Sequence, residues 1–157
     1  MSLVRIKSQT ELNSSVVMVL DMNKKELFEF CRKWLSEWTG NRPDALLKYY
    51  HDDALYIDPA NRDGLKGHKE IRRYFERLLD VYHDWTWKPI EVFPIESGAI
   101  VKWECTIPLG QETIHEIGLD IVEIDGDKIT RNEVYFDRTR LVAAVEKKRR
   151  DRRLINL

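Results

Sequence analysis

The sequence is short of cysteine and of long apolar runs, and both shortages narrow what the chain does. Its 157 residues include two cysteines, Cys31 and Cys105, with no CxxC or Cys/His spacing around either. That pattern offers neither a disulfide framework nor a zinc site, and two buried thiols in a reducing compartment are the simple expectation. No uninterrupted apolar run exceeds five residues, and the N-terminal one, Val16 to Leu20, falls far below the ~20 residues that span a bilayer. It is also short for a secretory leader, and Ser14 and Ser15 precede it without a basic cluster. A soluble cytoplasmic protein with no membrane partner is expected.

Charge of one sign is also lacking, since the net charge is −1. The balance is uneven: Glu146 to Arg153 hold six basic and two acidic side chains, a local +4 that leaves −5 elsewhere. An acidic body with a basic tail excludes broad nucleic-acid binding by the domain, and the tail reads as a solvated helix end. No glycine-rich phosphate loop, Ser/His/Asp set or HExxH motif occurs, so no nucleotide, flavin, metal or other cofactor is expected. His115 and Glu104 are too few for a metal site and read as a cross-strand pair.

The chain does have what a core needs: 43% hydrophobic residues and five tryptophans, at a length that fits one domain. Residues 1–22 show no clean period and read as an N-terminal extension. Leu27, Phe30, Cys31, Trp34, Leu35 and Trp38 then follow helical spacing from Lys24. Gly40-Asn41-Arg42-Pro43 stops that helix, and Pro43 suits the first turn of a short second one, Asp44 to Tyr50. Ala54 to Asp58 reads as a strand, followed by a polar loop through Gly67. A third helix runs from about His68 to Tyr82.

After Tyr82 the period changes to two, with strands at Thr86–Phe93, Ala99–Ile107, Thr113–Ile124 and Ile129–Phe136. Pro108 to Gln111 and Asp125-Gly126-Asp127 carry hairpin turn chemistry. A last helix covers about Thr139 to Arg153. Helices segregated from a long meander make this an α+β chain, and a curved sheet with helices across one face encloses a pocket.

Alternation sorts the strand faces. With the hairpin turn centred on Leu109-Gly110, Glu116 pairs with Trp103, Gly118 with Val101 and Asp120 with Ala99. Ala99, Val101, Trp103 and Cys105 form the more apolar face, which puts Asp120 and Glu116 inside and Glu104 with His115 outside. A one-residue slip would invert the assignment. Glu116 is the other polar group on Asp120's own strand face, and an inward carboxylate in mid-strand is costly unless paired or functional.

His51-Asp52-Asp53-Ala54-Leu55-Tyr56-Ile57-Asp58-Pro59, with Gly67 opening a helix, resembles the signature of SnoaL-like and ketosteroid-isomerase-like proteins. Gly118 to Ile124 and Val134-Tyr135-Phe136-Asp137 resemble that family's final strands. The resemblance covers roughly Lys24 to Leu141. It implies the nuclear-transport-factor-2-like (NTF2-like) cone: three N-terminal helices on a strongly curved antiparallel or mixed sheet, plus a C-terminal helix. The domain would occupy residues 23–141, with a basic helical tail at 142–157.

By the same resemblance, Asp58 falls where ketosteroid isomerases carry a general base. Asp120 falls where they carry a protonated acid, and Trp34 stands at their oxyanion-hole tyrosine. An indole donates a hydrogen bond but cannot relay a proton. For Asp58 alone, a turn-capping carboxylate before Pro59 is the competing reading. The epoxide-hydrolase branch carries an arginine and an aspartate where this chain has Trp103 and Cys105, and a second aspartate near Val134, so that reaction is excluded.

The resemblance therefore implies a cofactor-independent enzyme acting on a hydrophobic carbonyl compound. Asp58 would abstract a proton, Asp120 and Trp34 would hold the oxyanion, and Tyr56, Trp38, Trp103, Glu116, Asn132 and Val134 would form the walls. Isomerisation, cyclisation and dehydration all begin this way, which gives the lyase or isomerase class. A non-catalytic ligand-binding or interaction module is the alternative. The resemblance also implies a homodimer through the outer sheet face.

Overall fold

The computed structural model describes residues 22–155. The N-terminal extension expected at 1–22 lies, apart from Met22, outside the described residues. Helix α1 spans Lys24–Ser36 and begins at a capping box, in which the Asn23 side chain accepts from the Glu26 backbone and Glu26 reaches back to the Asn23 N–H. Its stripe of Leu27, Cys31, Trp34 and Leu35 is buried, as the spacing predicts. Helix α2 is shorter than expected, Pro43–Leu47, with Pro43 supplying the first-turn residue that lacks an N–H. Tyr50 lies outside it and opens strand β1, Tyr50–Asp58.

The polar segment expected to be a loop is instead strand β2, Asn61–Lys66. It is antiparallel to β1 at the sheet edge. An edge strand with a solvated face shows no apolar alternation, which is why its sequence reads as loop. Helix α3, Gly67–Tyr82, buries Ile71, Phe75 and Leu79. Strands β3 (Thr86–Ile95), β4 (Gly98–Leu109), β5 (Glu112–Asp125) and β6 (Lys128–Phe136) follow as a meander. Helix α4 spans Thr139–Ile155.

The six strands form one curved mixed sheet in the order β2-β1-β6-β5-β4-β3, with β1 parallel to β6 and every other pair antiparallel. Helix α1 packs against β3 and α3 against β1. The β4–β5 turn centres on Gly110-Gln111, because Leu109 pairs with Glu112. Gly110 takes φ +71°, the left-handed value that glycine reaches without penalty. The expected cross-strand partners are therefore corrected: Asp120 faces Val101, Gly118 faces Trp103, and Glu116 faces Cys105. The error moves each partner by two residues, one full period of a strand, so the face assignment survives. Along β5, Ile114, Glu116, Gly118, Asp120, Val122 and Ile124 are buried while their neighbours are not.

Candidate active site

Three cross-strand rows on the inner face build the site. Trp87, Cys105 and Glu116 form one; Trp103, Gly118 and Phe136 the next; Val92, Val101, Asp120 and Val134 the third. In the middle row a Cβ on residue 118 would lie 2.3 Å from Cζ2 of Trp103. The absence of that atom lets the indole lie across β5. From there its Nε1–H donates to Oδ1 of Asp120 at 2.8 Å.

Asp120 is 3% exposed and its second oxygen is also occupied, accepting from Nδ2 of Asn132 at 2.8 Å. Asn132 in turn accepts from the Tyr50 hydroxyl at 2.8 Å. Burial pushes the Asp120 carboxyl upward, the two donated hydrogen bonds pull it back, and the Asp58 charge raises it again. The balance is a pKa of about 7.

Asp58 ends β1 in a different setting. Its Oδ1 accepts from the Ala60 N–H (2.9 Å), the Asn61 N–H (2.8 Å) and Asn61 Nδ2 (2.9 Å). Its Oδ2 accepts from the Tyr74 hydroxyl at 2.5 Å and, longer, from the Tyr56 hydroxyl at 3.4 Å. Burial, followed by the hydrogen bond to Asp58, raises the Tyr74 pKa, which keeps that phenol a donor. Asp58 caps the turn through Oδ1, and it also lines the cavity.

The cavity measures about 280 Å³, close to the lower end of the ~300–1,000 Å³ usual for small-molecule sites. Of the residues expected from the sequence, Asp58, Asp120, Tyr56, Trp38, Trp103, Glu116 and Val134 line it. Two do not. Asn132 is fully buried behind Asp120, and Trp34 is fully buried in the core. The Trp34 indole N–H is buried without a hydrogen-bond partner among the described residues. The donor beside Asp120 is Trp103, placed there by cross-strand register.

Sequence reasoning missed Tyr74, Trp85, Trp87 and Arg138 in the lining. The Tyr74 signal was present, since it precedes the buried Phe75 on α3 and leans toward the sheet. Arg138 follows the last strand, where no periodicity fixes its direction. Glu104 and His115 sit on the outer face, where Glu104 pairs with Lys88 at 2.8 Å and His115 lies 4.0 Å away. Among the described residues, no group of three or more His, Cys, Asp or Glu side chains is placed to hold a metal. No helix among them is long and apolar enough to cross a membrane.

A curved mixed sheet closed by helices over an aromatic cavity with inward carboxylates defines an NTF2-like domain. The chain belongs to the SnoaL-like domain family, whose model matches residues 31–132. No curated protein matches the sequence. Among solved structures, a protein from Jannaschia sp. CCS1 described as a SnoaL-like polyketide cyclase is similar at TM-score 0.64 and 11% identity, over 80% of this chain and 96% of that one. AclR from Streptomyces galilaeus, described as a hydroxylase, is similar at TM-score 0.63 and 13% identity, over 80% and 98%. A protein of ketosteroid-isomerase-like fold from Catenulispora acidiphila, solved with trimethylamine, is similar at TM-score 0.57 and 19% identity, over 66% and 82%. At these identities the likeness speaks for the fold.

Proposed function

We propose that the protein is a cofactor-independent acid–base enzyme acting on a compact, largely apolar carbonyl compound. Asp58 accepts the proton next to the carbonyl, and Asp120 in its protonated form donates to the developing oxyanion. The observation that carries this reading is the opposed surroundings of two carboxylates on one cavity. Asp58 is held by five donated hydrogen bonds, while burial brings Asp120 to a pKa of about 7, where it exists in both protonation states at neutral pH. A protonated carboxyl oxygen keeps a lone pair, so the hydrogen bonds from Trp103 and Asn132 persist in either state. Trp103 positions the Asp120 carboxyl through its indole N–H, and Trp34, expected to hold the oxyanion, lies in the core outside the cavity lining. Isomerisation, cyclisation and dehydration all share this opening step, and the polyketide-cyclase neighbour supports a reaction of that kind.

A second reading, a non-catalytic ligand-binding module, is favoured by the three hydrogen bonds that commit Asp58 Oδ1 to its own turn. The complex of one neighbour with trimethylamine supports a cavity that takes small ligands. Thermal-shift screening against hydrophobic ketones, followed by turnover assays of each hit, separates the two. Asp58→Asn should lower turnover by about 10²–10⁴-fold. Turnover that survives the substitution removes Asp58 from the mechanism.

A further inference from the structure

We infer that the cavity recognises an organic cation, an alkylated ammonium group, with Glu116 as its counter-ion and the tryptophan faces as its seat. This adds an ammonium group to the carbonyl compound proposed above and rests on that cavity being the ligand site. Glu116 is 8% exposed, lines the cavity, and has its Oε1 buried without a hydrogen-bond partner among the described residues. The cavity's other two carboxylates are in a different condition. Asp120 takes one donor on each oxygen, and Asp58 takes three on Oδ1 and two on Oδ2. Glu116 therefore holds the lining's unspent acceptor. A buried carboxylate in that state is costly until a donor or a cation reaches it.

The surroundings favour a cation with apolar substituents over a neutral donor. Glu116 shares its cross-strand row with Cys105 and, one strand further, Trp87. Cys105, between them in that row, lines the cavity together with Glu116 and Trp87. Trp87 continues a run of rings, lying 5.7 Å from Trp85 and 6.0 Å from Trp38 between centroids. In the adjacent row, Trp103 packs edge-on against Phe136 at 5.7 Å. Ring faces attract cations by about 0.5–2 kcal/mol, the larger value applying when water is excluded, and they seat methyl groups well. Among the described residues, the lining holds one cationic side chain, Arg138, which is exposed, against three carboxylates.

Choline and its uncharged carbon isostere, dimethylbutanol, test the assignment on the full chain, read by tryptophan fluorescence and calorimetry. Choline should bind about tenfold or more tightly than the isostere. Glu116→Gln should abolish that preference. Melting curves verify that the variant folds, and Trp87→Leu, which should weaken choline far more than the isostere, provides an independent arm if it does not. Equal affinities, no binding of either compound, or a preference that survives in Glu116→Gln would overturn the inference. Neither a carbonyl nor turnover enters these measurements. Their failure leaves proton abstraction by Asp58 standing, and loss of that mechanism leaves the cation result intact.

Discussion

Trp103 reaches Asp120 across a residue with no side chain: its indole N–H donates to Oδ1 at 2.8 Å over Gly118. Gly118→Ala would drive a methyl to within 2.3 Å of the ring, and Cβ of Phe136 at 2.9 Å blocks the other side. The substitution should cost about 1–3 kcal/mol, the usual range for overpacking a core. It should also break the bond to Asp120. Urea denaturation reads the first effect and tryptophan emission the second; an unchanged emission spectrum would show that the ring had not moved.

Asp120 makes folding depend on pH in a stated direction. Burial raises its folded-state pKa to about 7, above the unfolded carboxylate value. Its unfavourable contribution is absent below about pH 4, grows as pH rises toward 7, and is constant above. Wild type should lose stability across that window, on the order of a few kcal/mol, relative to Asp120→Asn. The asparagine can be accommodated because the Asn132 amide can flip and the Tyr50 hydroxyl can rotate to follow it. Denaturation midpoints of both proteins at pH 4, 5, 6 and 7 check this; parallel curves would refute it.

How much of this was legible in the sequence follows from which physical signal each element emits. The meander and its faces were readable because buried residues alternate with more accessible ones from Ala99 to Ile107 on β4 and from Ile114 to Ile124 on β5. The partners were not, because Pro108 to Gln111 admits more than one two-residue turn. Strand β2 carries Asn61, Arg62, Asp63 and Gly64 at an open edge, and its pairing with β1 leaves no apolar trace. Within the cavity lining, Asp58 was placed by the family resemblance alone, while Asp120 and Glu116 were legible as charge on a core strand face. The substitution of Trp103 for Trp34 as the donor was not, because it depends on two strands meeting at Gly118.

The outer face yields a prediction about assembly. Leu119 and Tyr135 are cross-strand partners there, 41% and 52% exposed, beside Ile117 at 54%. Neighbouring charges are already paired with one another, Lys102 with Glu91 and Arg131 with Glu123. An apolar patch with a self-satisfied rim suits a second copy of the same face. Sedimentation at micromolar concentration should give a dimer, and Leu119→Lys should give a monomer with the same melting behaviour in dilute solution. A wild-type monomer would count against the sheet interface.

Capping and chemistry can be separated at Asp58 by comparing two substitutions. Asparagine keeps an oxygen for the Ala60 and Asn61 N–H groups, and its amide N–H₂ can donate to the Tyr74 hydroxyl. Alanine removes every acceptor and leaves those two turn donors and the tyrosine without a partner. Asp58→Ala should therefore cost about 1–3 kcal/mol of stability, the scale of a lost cap or an orphaned buried donor. Asp58→Asn should cost less than about 1 kcal/mol, since the acceptor survives. If the carboxylate is the base, both variants should nevertheless lose turnover alike, because neither can take the proton. Activity tracking stability, with Asp58→Asn close to wild type in both, would mean that the residue serves the turn and that the proton goes elsewhere.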